Sequence, residues 1–281
     1  MILTLLACAA STDTASPAAP ITWPLTLGGD RPAEVFGPEG WAGEDTLPVV
    51  LLLHGFGANG EVQDALLGFS ERIEADRFVL IRPDGTPNSD GARFWNATDA
   101  CCDFEGQGVD DVAYLSGLVE ELAATVPIDD TRVYATGHSN GGFMSYRLAC
   151  DRGDLFAAIA PLAGAMPLDT TSCPAEEQVS VLHIHGDDDP DVPYEGSEEI
   201  PSADASLAFW ADRGGCDGSG DQGALDLTGD AGAETNRVAW SGCDGAVGAE
   251  LWTMQGVGHV PLVNDLYPEE VMAWLYAHPR P

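Results

Sequence analysis

TRVYATGHSNGGFMSYRLA, residues 131–149, reads as strand, tight turn and helix. Arg132 to Thr136 is a run of β-branched and aromatic residues, and Phe143 to Ala149 carries apolar residues at helical spacing. The five residues between, Gly137-His138-Ser139-Asn140-Gly141, must therefore reverse the chain sharply. A serine at such a turn is held in a strained backbone conformation, and neighbours without a β-carbon let strand and helix approach. This G-x-S-x-G elbow makes Ser139 a candidate nucleophile and aims the backbone N–H of Asn140 at the same point in space. The plainer reading is a glycine-rich turn that happens to contain serine. The preceding strand and following helix favour the elbow, because they are the context the motif requires.

Upstream, LPVVLLL at residues 47–53 is a continuous apolar run of strand length, as expected of a parallel strand buried on both faces. It opens into His54-Gly55-Phe56-Gly57, where the backbone N–H of Phe56 is a candidate second oxyanion donor; otherwise the stretch is an ordinary strand exit. A helix over about 62–75, a strand over 78–82 and the turn Pro83-Asp84-Gly85 complete a βαβ unit. Before it, residues 21–38 hold two short strand-like pieces around Gly28-Gly29-Asp30, an antiparallel hairpin. The loop over 86–108 contains Trp95, which either lines a substrate cleft or packs the loop down. Asp110 and Asp111 open a helix to about residue 125 and are read as capping residues.

Downstream, residues 155–163 and 179–184 read as buried strands, the second opening into HGDDDPDVP. Its aspartates at 187, 188, 189 and 191 have no further ligand at calcium-loop spacing, so one orienting a histidine is the stronger reading, with the acid left open by position alone. His183 and His185 alternate on one strand face and are read as structural. A helix is expected over 203–213, a last strand over 250–254 followed by Gly256-Val257-Gly258-His259, and a closing helix over 268–277. Residues 214–235, rich in Gly and Asp, look least ordered.

This alternation predicts an α/β fold with a mostly parallel central sheet, helices on both faces and no large lid, a single domain over 21–281. The formal net charge of −35 disfavours nucleic acid and anionic lipid as partners and keeps the protein soluble. Residues 1–20 are set aside as a signal segment and tether, too short in its apolar run to span a bilayer. Leu5-Leu6-Ala7-Cys8 resembles a bacterial lipoprotein box, so Cys8 is a candidate lipid anchor, although no basic residue precedes it; a plain secretory signal is the alternative. Either way the protein is expected to be secreted or in the cell envelope. The other cysteines, at 101, 102, 150, 173, 216 and 243, form an even set without a C-x-x-C pair, which favours disulfides over a metal site. Cys216 and Cys243 are expected to pair across the glycine-rich segment. For the other four, the two arrangements that avoid a vicinal Cys101–Cys102 bridge are favoured.

Serine in an elbow, an acid after a later strand and a histidine after the last strand follow the chain order of the α/β-hydrolases. LLLHGFGANG, IRPDGTPN, FWNATDACC, RVYATGHSNGGFMSYRLAC, HGDDDPDVPYEG and GVGH resemble the secreted polyhydroxybutyrate depolymerase and feruloyl esterase type within that fold, similar to carbohydrate esterase family 1. The resemblance covers residue 48 to the C-terminus and implies Ser139, Asp189 and His259 as the catalytic triad of an esterase acting on feruloyl, acetyl or hydroxyalkanoate esters. It implies no cofactor and no metal, and a monomer is expected. The aspartates at 187, 188 and 191 depart from the pattern, as does His138, which stands where a bulkier apolar residue is frequent and is expected to touch the acyl pocket. The rivals are a serine peptidase of the same fold, usually with an added propeller or lid, and an inert saccharide-binding lipoprotein, which would need no triad.

Overall fold

The computed structural model describes residues 19–174, 177–229, 232–245 and 247–281, so the lipoprotein-like box and Cys8 lie outside it. Among the described residues twelve strands and six α-helices follow one another. The strands are β1 (Leu25–Leu27), β2 (Ala33–Phe36), β3 (Leu47–Leu53), β4 (Val79–Arg82), β5 (Thr86–Pro87), β6 (Arg93–Phe94), β7 (Ile128–His138), β8 (Ala158–Leu162), β9 (Ser180–Gly186), β10 (Gly218–Leu225), β11 (Thr235–Ser241) and β12 (Ala249–Met254). The helices are α1 (Gly60–Leu67), α2 (Ile73–Asp76), α3 (Asp111–Ala123), α4 (Asn140–Asp151), α5 (Ala203–Arg213) and α6 (Leu266–Tyr276).

Ten strands form one sheet in the order β1-β2-β4-β3-β7-β8-β9-β12-β11-β10, while β5 and β6 make a separate ribbon. The six central strands from β4 to β12 run parallel, and antiparallel strands finish both edges. Every residue of β3 is buried, because its side chains alternate between two cores. Val49, Leu51 and Leu53 face α3, α4 and α5, whose Leu118, Phe143 and Trp210 share that core. Val50 and Leu52 face α1, α2 and α6 with Leu67, Ile73 and Met272. Burial on both faces is what turns alternating geometry into an uninterrupted apolar run, and it gives the α/β-hydrolase arrangement. Among the described residues no helix is long and apolar enough to cross a membrane.

Three expectations need correction. Within the segment over 214–235 the described residues carry edge strand β10, paired antiparallel with β11. Its residues are mostly exposed on both faces, so pairing rests on the backbone and leaves no apolar pattern to read. A register shift between Asp221 and Ala224 interrupts the edge, a device that also discourages pairing with another chain. The helix expected over 62–75 is broken, because Gly68 takes a left-handed conformation that caps α1 and starts a 3-10 turn.

The third correction concerns the cysteines. Cys216–Cys243 is bonded as expected, but Cys150 at the end of α4 bonds Cys173, leaving Cys101 and Cys102 to bond each other. Cys150 and Cys173 are both buried, with Cα atoms 4.5 Å apart, which settles the partition. The Cys216–Cys243 bridge spans 27 positions and clamps the base of the β10–β11 hairpin, where Gly218 opposes Ser241. Replacing both cysteines by alanine is expected to lower unfolding free energy by about 3 to 4 kcal/mol, the loop-closure entropy of that length. Urea unfolding of the double variant measures it; an unchanged midpoint would show the bridge contributes nothing.

Candidate active site

The elbow is built as the glycine spacing requires. A β-carbon on Gly137 or Gly141 would run into the Leu53 carbonyl of β3, so only glycine lets strand, turn and helix close up. Between them Ser139 sits at φ 55°, ψ −120°, a strained backbone for a residue with a side chain. Its N–H is tied to Leu162 of β8 at 2.8 Å and its carbonyl accepts from Phe143 at 3.0 Å, so neighbouring structure holds the strain in place.

Asp189 and His259 come from the loops after β9 and β12, on the same carboxyl edge of the sheet. His259 Nδ1 lies 2.7 Å from Asp189 Oδ2, and His259 Nε2 lies 2.9 Å from Ser139 Oγ. The two loops are bound to each other. The Asp187 and Asp188 N–H groups donate to Met254 and Val257, and the Gly256 N–H donates to Asp187 Oδ1 at 2.6 Å. Asp187 therefore fixes the histidine loop rather than the imidazole, while Asp188 and Asp191 point to solvent. Asp189 alone of the four is buried. Its Oδ1 accepts from the Asp191 and Val192 N–H groups at 2.8 and 2.9 Å. Burial by itself would raise the Asp189 carboxyl, but hydrogen bonds from His185, His259 and those backbone groups outweigh it and hold the carboxyl well below the usual range.

Asp189, Asp191 and His259 have ligand atoms within 4.8 Å of one another. Both ring nitrogens of His259 and both oxygens of Asp189 are, however, already committed to Ser139, to each other, to His185 and to backbone donors.

The backbone N–H groups of Asn140 and Phe56 have no hydrogen-bond acceptor among the described residues, which leaves both available to an oxyanion. The Asn140 side chain works elsewhere. Its Oδ1 accepts from the Trp95 N–H at 2.7 Å, and its Nδ2 donates to the Trp95 carbonyl and the Cys101 sulphur. This anchors the loop after β6 to the elbow, a role the sequence did not signal.

The two expected substrate-binding residues are placed differently. Trp95 is fully buried and donates its indole N–H to the His54 carbonyl at 2.9 Å, so it packs the loop and offers no surface to a ligand. His138 lies under His259 instead of in an acyl pocket. Its ring packs 4.8 Å from the His259 ring, and its Nε2 donates to the His259 carbonyl at 2.7 Å. Exposed apolar surface is offered by Phe56, in the loop after β3, and Phe104, whose rings meet edge to face at 5.7 Å. They remain 41% and 72% exposed. Beside Phe104 a cleft of about 590 Å³ is lined by Thr98, Asp99, Arg147, Leu168 and Glu199. Asp110 caps α3 as expected, but Asp111 is a buried ion-pair partner of Arg31 at 2.6 Å and accepts from the Asn96 N–H, pinning the same loop from the other side.

His54 locks the loop that follows β3. Its Nε2 accepts from the Gly85 N–H at 2.8 Å, so its Nδ1 carries the proton and donates to the Gly55 carbonyl. Burial lowers its pKa, and burial lowers that of His138 to about 4. Both imidazoles are neutral when folded but take up protons below about pH 6.5 when unfolded. The unfolded chain then binds more protons, so stability falls as pH drops from about 6.5 towards 4, by roughly 1.4 kcal/mol per pH unit for His138, and the lowered pKa of His54 acts in the same direction. Denaturant unfolding at pH 7 and pH 5 checks the sign, and His138→Gln is expected to flatten the slope; a steeper slope would contradict the assignment.

The sequence profile of the esterase family, described as "Putative esterase", matches residues 25–224. The chain is similar to the curated "Putative esterase NocK" of Nocardia uniformis subsp. tsuyamanensis, 27% identical over 227 residues, covering 75% of this chain and 64% of that protein. It is similar to feruloyl esterase B of Piromyces equi, 25% identical over 234 residues, covering 79% of this chain and 41% of that protein. The chain thus spans less than two thirds of the length of either relative. Among solved structures, acetyl xylan esterase from Aspergillus awamori superposes with a TM-score of 0.63 at 16% identity, covering 91% of this chain and 98% of the other, a likeness of fold.

Proposed function

The chain belongs to the esterase family, and we propose from that premise that it hydrolyses carboxylic esters by two acyl transfers through Ser139. The observation that carries this reading is the hydrogen-bonded line from Ser139 Oγ through His259 to Asp189 Oδ2. A serine hydroxyl is a poor nucleophile at neutral pH. His259 Nε2 takes its proton while Oγ bonds to the ester carbonyl carbon, and Asp189 holds the imidazole in the Nδ1–H tautomer and stabilises its cation. The carbonyl oxygen, now an anion, is received by the Asn140 and Phe56 N–H groups, each worth roughly 3 to 4 kcal/mol in the transition state. His259 then hands the proton to the departing alcohol oxygen as the C–O bond breaks. Water repeats the sequence on the acyl-enzyme and releases the acid.

Polysaccharide-linked feruloyl or acetyl esters are the substrate class we favour. The feruloyl esterase relative supports it, and the exposed Phe56–Phe104 pair offers a flat surface for an aromatic acid. The three disulfides support maturation in an oxidising compartment outside the cytoplasm. The test is a substrate profile of purified protein on methyl ferulate, acetylxylan, a polyhydroxybutyrate film and a peptide anilide. Release of ferulate or acetate is expected; cleavage of the film alone would transfer the enzyme to polyesters, and of the anilide alone to peptides.

A further inference from the structure

Three buried side chains extend the site inward. Tyr146 Oη lies 2.6 Å from His183 Nδ1, His183 Nε2 lies 3.1 Å from His185 Nδ1, and His185 Nε2 lies 3.2 Å from Asp189 Oδ2 and 2.9 Å from the Val192 carbonyl. Tyr146 and His183 are inaccessible and His185 is 1% exposed. A core that holds two imidazoles in contact with each other and with a carboxylate carries desolvated polar groups that leucines could replace, so a function is the economical account.

The direction of each proton follows from its partners. His185 Nε2 faces only acceptors, a carboxylate and a carbonyl, so it bears hydrogen. With that ring neutral, its Nδ1 is bare and requires His183 Nε2 to donate, which leaves His183 Nδ1 bare and requires the Tyr146 hydroxyl to donate. A cationic His185 would reverse the last two bonds and leave the Tyr146 proton without an acceptor among the described residues. Burial keeps His183 neutral, far below its ordinary pKa, and keeps Tyr146 protonated.

We propose that His185 is a positioning residue, a second imidazole donor to Asp189 whose tautomer is set by Tyr146 through His183. Tyr146 lies on α4, which begins directly after Ser139, so the chain couples the nucleophile's helix to the acid's loop. Asp189 then meets four donors: His259 and His185 at Oδ2, and the Asp191 and Val192 N–H groups at Oδ1. Around His185 the Tyr194 ring packs edge-on at 5.6 Å, its hydroxyl turned to Thr253. The remaining loop carboxylates, Asp187, Asp188 and Asp191, are exposed. The inference rests on the reading of Ser139, Asp189 and His259 as the hydrolytic residues.

Two measurements test it. In wild-type protein with ¹⁵N-labelled histidine, ring-nitrogen correlation spectra at pH 7 are expected to show His183 and His185 as neutral Nε2–H tautomers. An Nδ1–H tautomer or a cation at either position overturns the proposal, and this arm needs no variant to fold. Kinetically, His185→Gln keeps an N–H where Nε2 stood and is expected to stay within about threefold of wild-type kcat. His185→Leu is expected to lose about 10- to 100-fold in kcat with KM within about twofold, the worth of one hydrogen bond to a charged group. Equal kcat in wild type and the Leu variant, or a Gln variant no better than Leu, overturns it. Hydrolysis retained by Ser139→Ala would instead mean that the underlying reading has failed.

Discussion

Ser139→Ala is expected to lower kcat for p-nitrophenyl acetate by about 10⁶-fold, the scale seen when a serine hydrolase loses its nucleophile. Among the described residues the Ser139 hydroxyl, at 2.9 Å, is the only side-chain partner of His259 Nε2, so no other hydroxyl or thiol is hydrogen-bonded to that nitrogen. Alanine carries the same β-carbon at the same strained φ, so the fold is expected to change by less than about 0.5 kcal/mol. Steady-state kinetics beside circular dichroism of the same sample separates lost chemistry from lost structure. A variant that keeps even a hundredth of wild-type kcat would rule out Ser139 as nucleophile.

Asp189→Asn is expected to lower kcat by about 10⁴-fold, and the reason is geometric as well as electrostatic. All four partners of the carboxylate are donors: two backbone N–H groups at Oδ1 and two imidazoles at Oδ2. An amide has one oxygen and one NH₂ group. If the oxygen stays with the backbone pair, the NH₂ faces His259 and selects the tautomer whose Nε2 already bears hydrogen and cannot accept the serine proton. Asparagine at 187 can still accept from Gly256, and positions 188 and 191 face solvent, so these three substitutions are expected to cost a few-fold at most. Measuring kcat for the four variants decides the assignment; a loss comparable to that at 189 in any of the other three would move the acid there.

What could be read in the residues beforehand divides along physical lines. The central sheet was legible because double-sided burial leaves runs such as LPVVLLL, and the elbow because two backbones in contact tolerate only glycine at 137 and 141. Strand β10 was not legible, since an exposed edge strand is held by its neighbour's backbone and imposes no pattern of its own. Trp95 stayed open between cleft and core, and His138 was expected at an acyl pocket, because a residue beside a site in the chain can turn its side chain into the core, and only three-dimensional packing decides which way it turns. Among the four aspartates, crowding in sequence hid a division of labour: one buried under four donors, one stapling two loops, and two solvated. His183 and His185 read as structural because strand alternation reports which face a residue is on, not which group waits beneath it.

The central claim is that Ser139 is an activated nucleophile. Intact-mass analysis after treatment with a fluorophosphonate tests it most directly, because stable phosphonylation requires a serine already primed by its histidine. The account predicts one adduct on wild-type protein, mapped to the peptide containing Ser139, and none on Ser139→Ala. Equal labelling of the two proteins, or an adduct on a different residue, would contradict it.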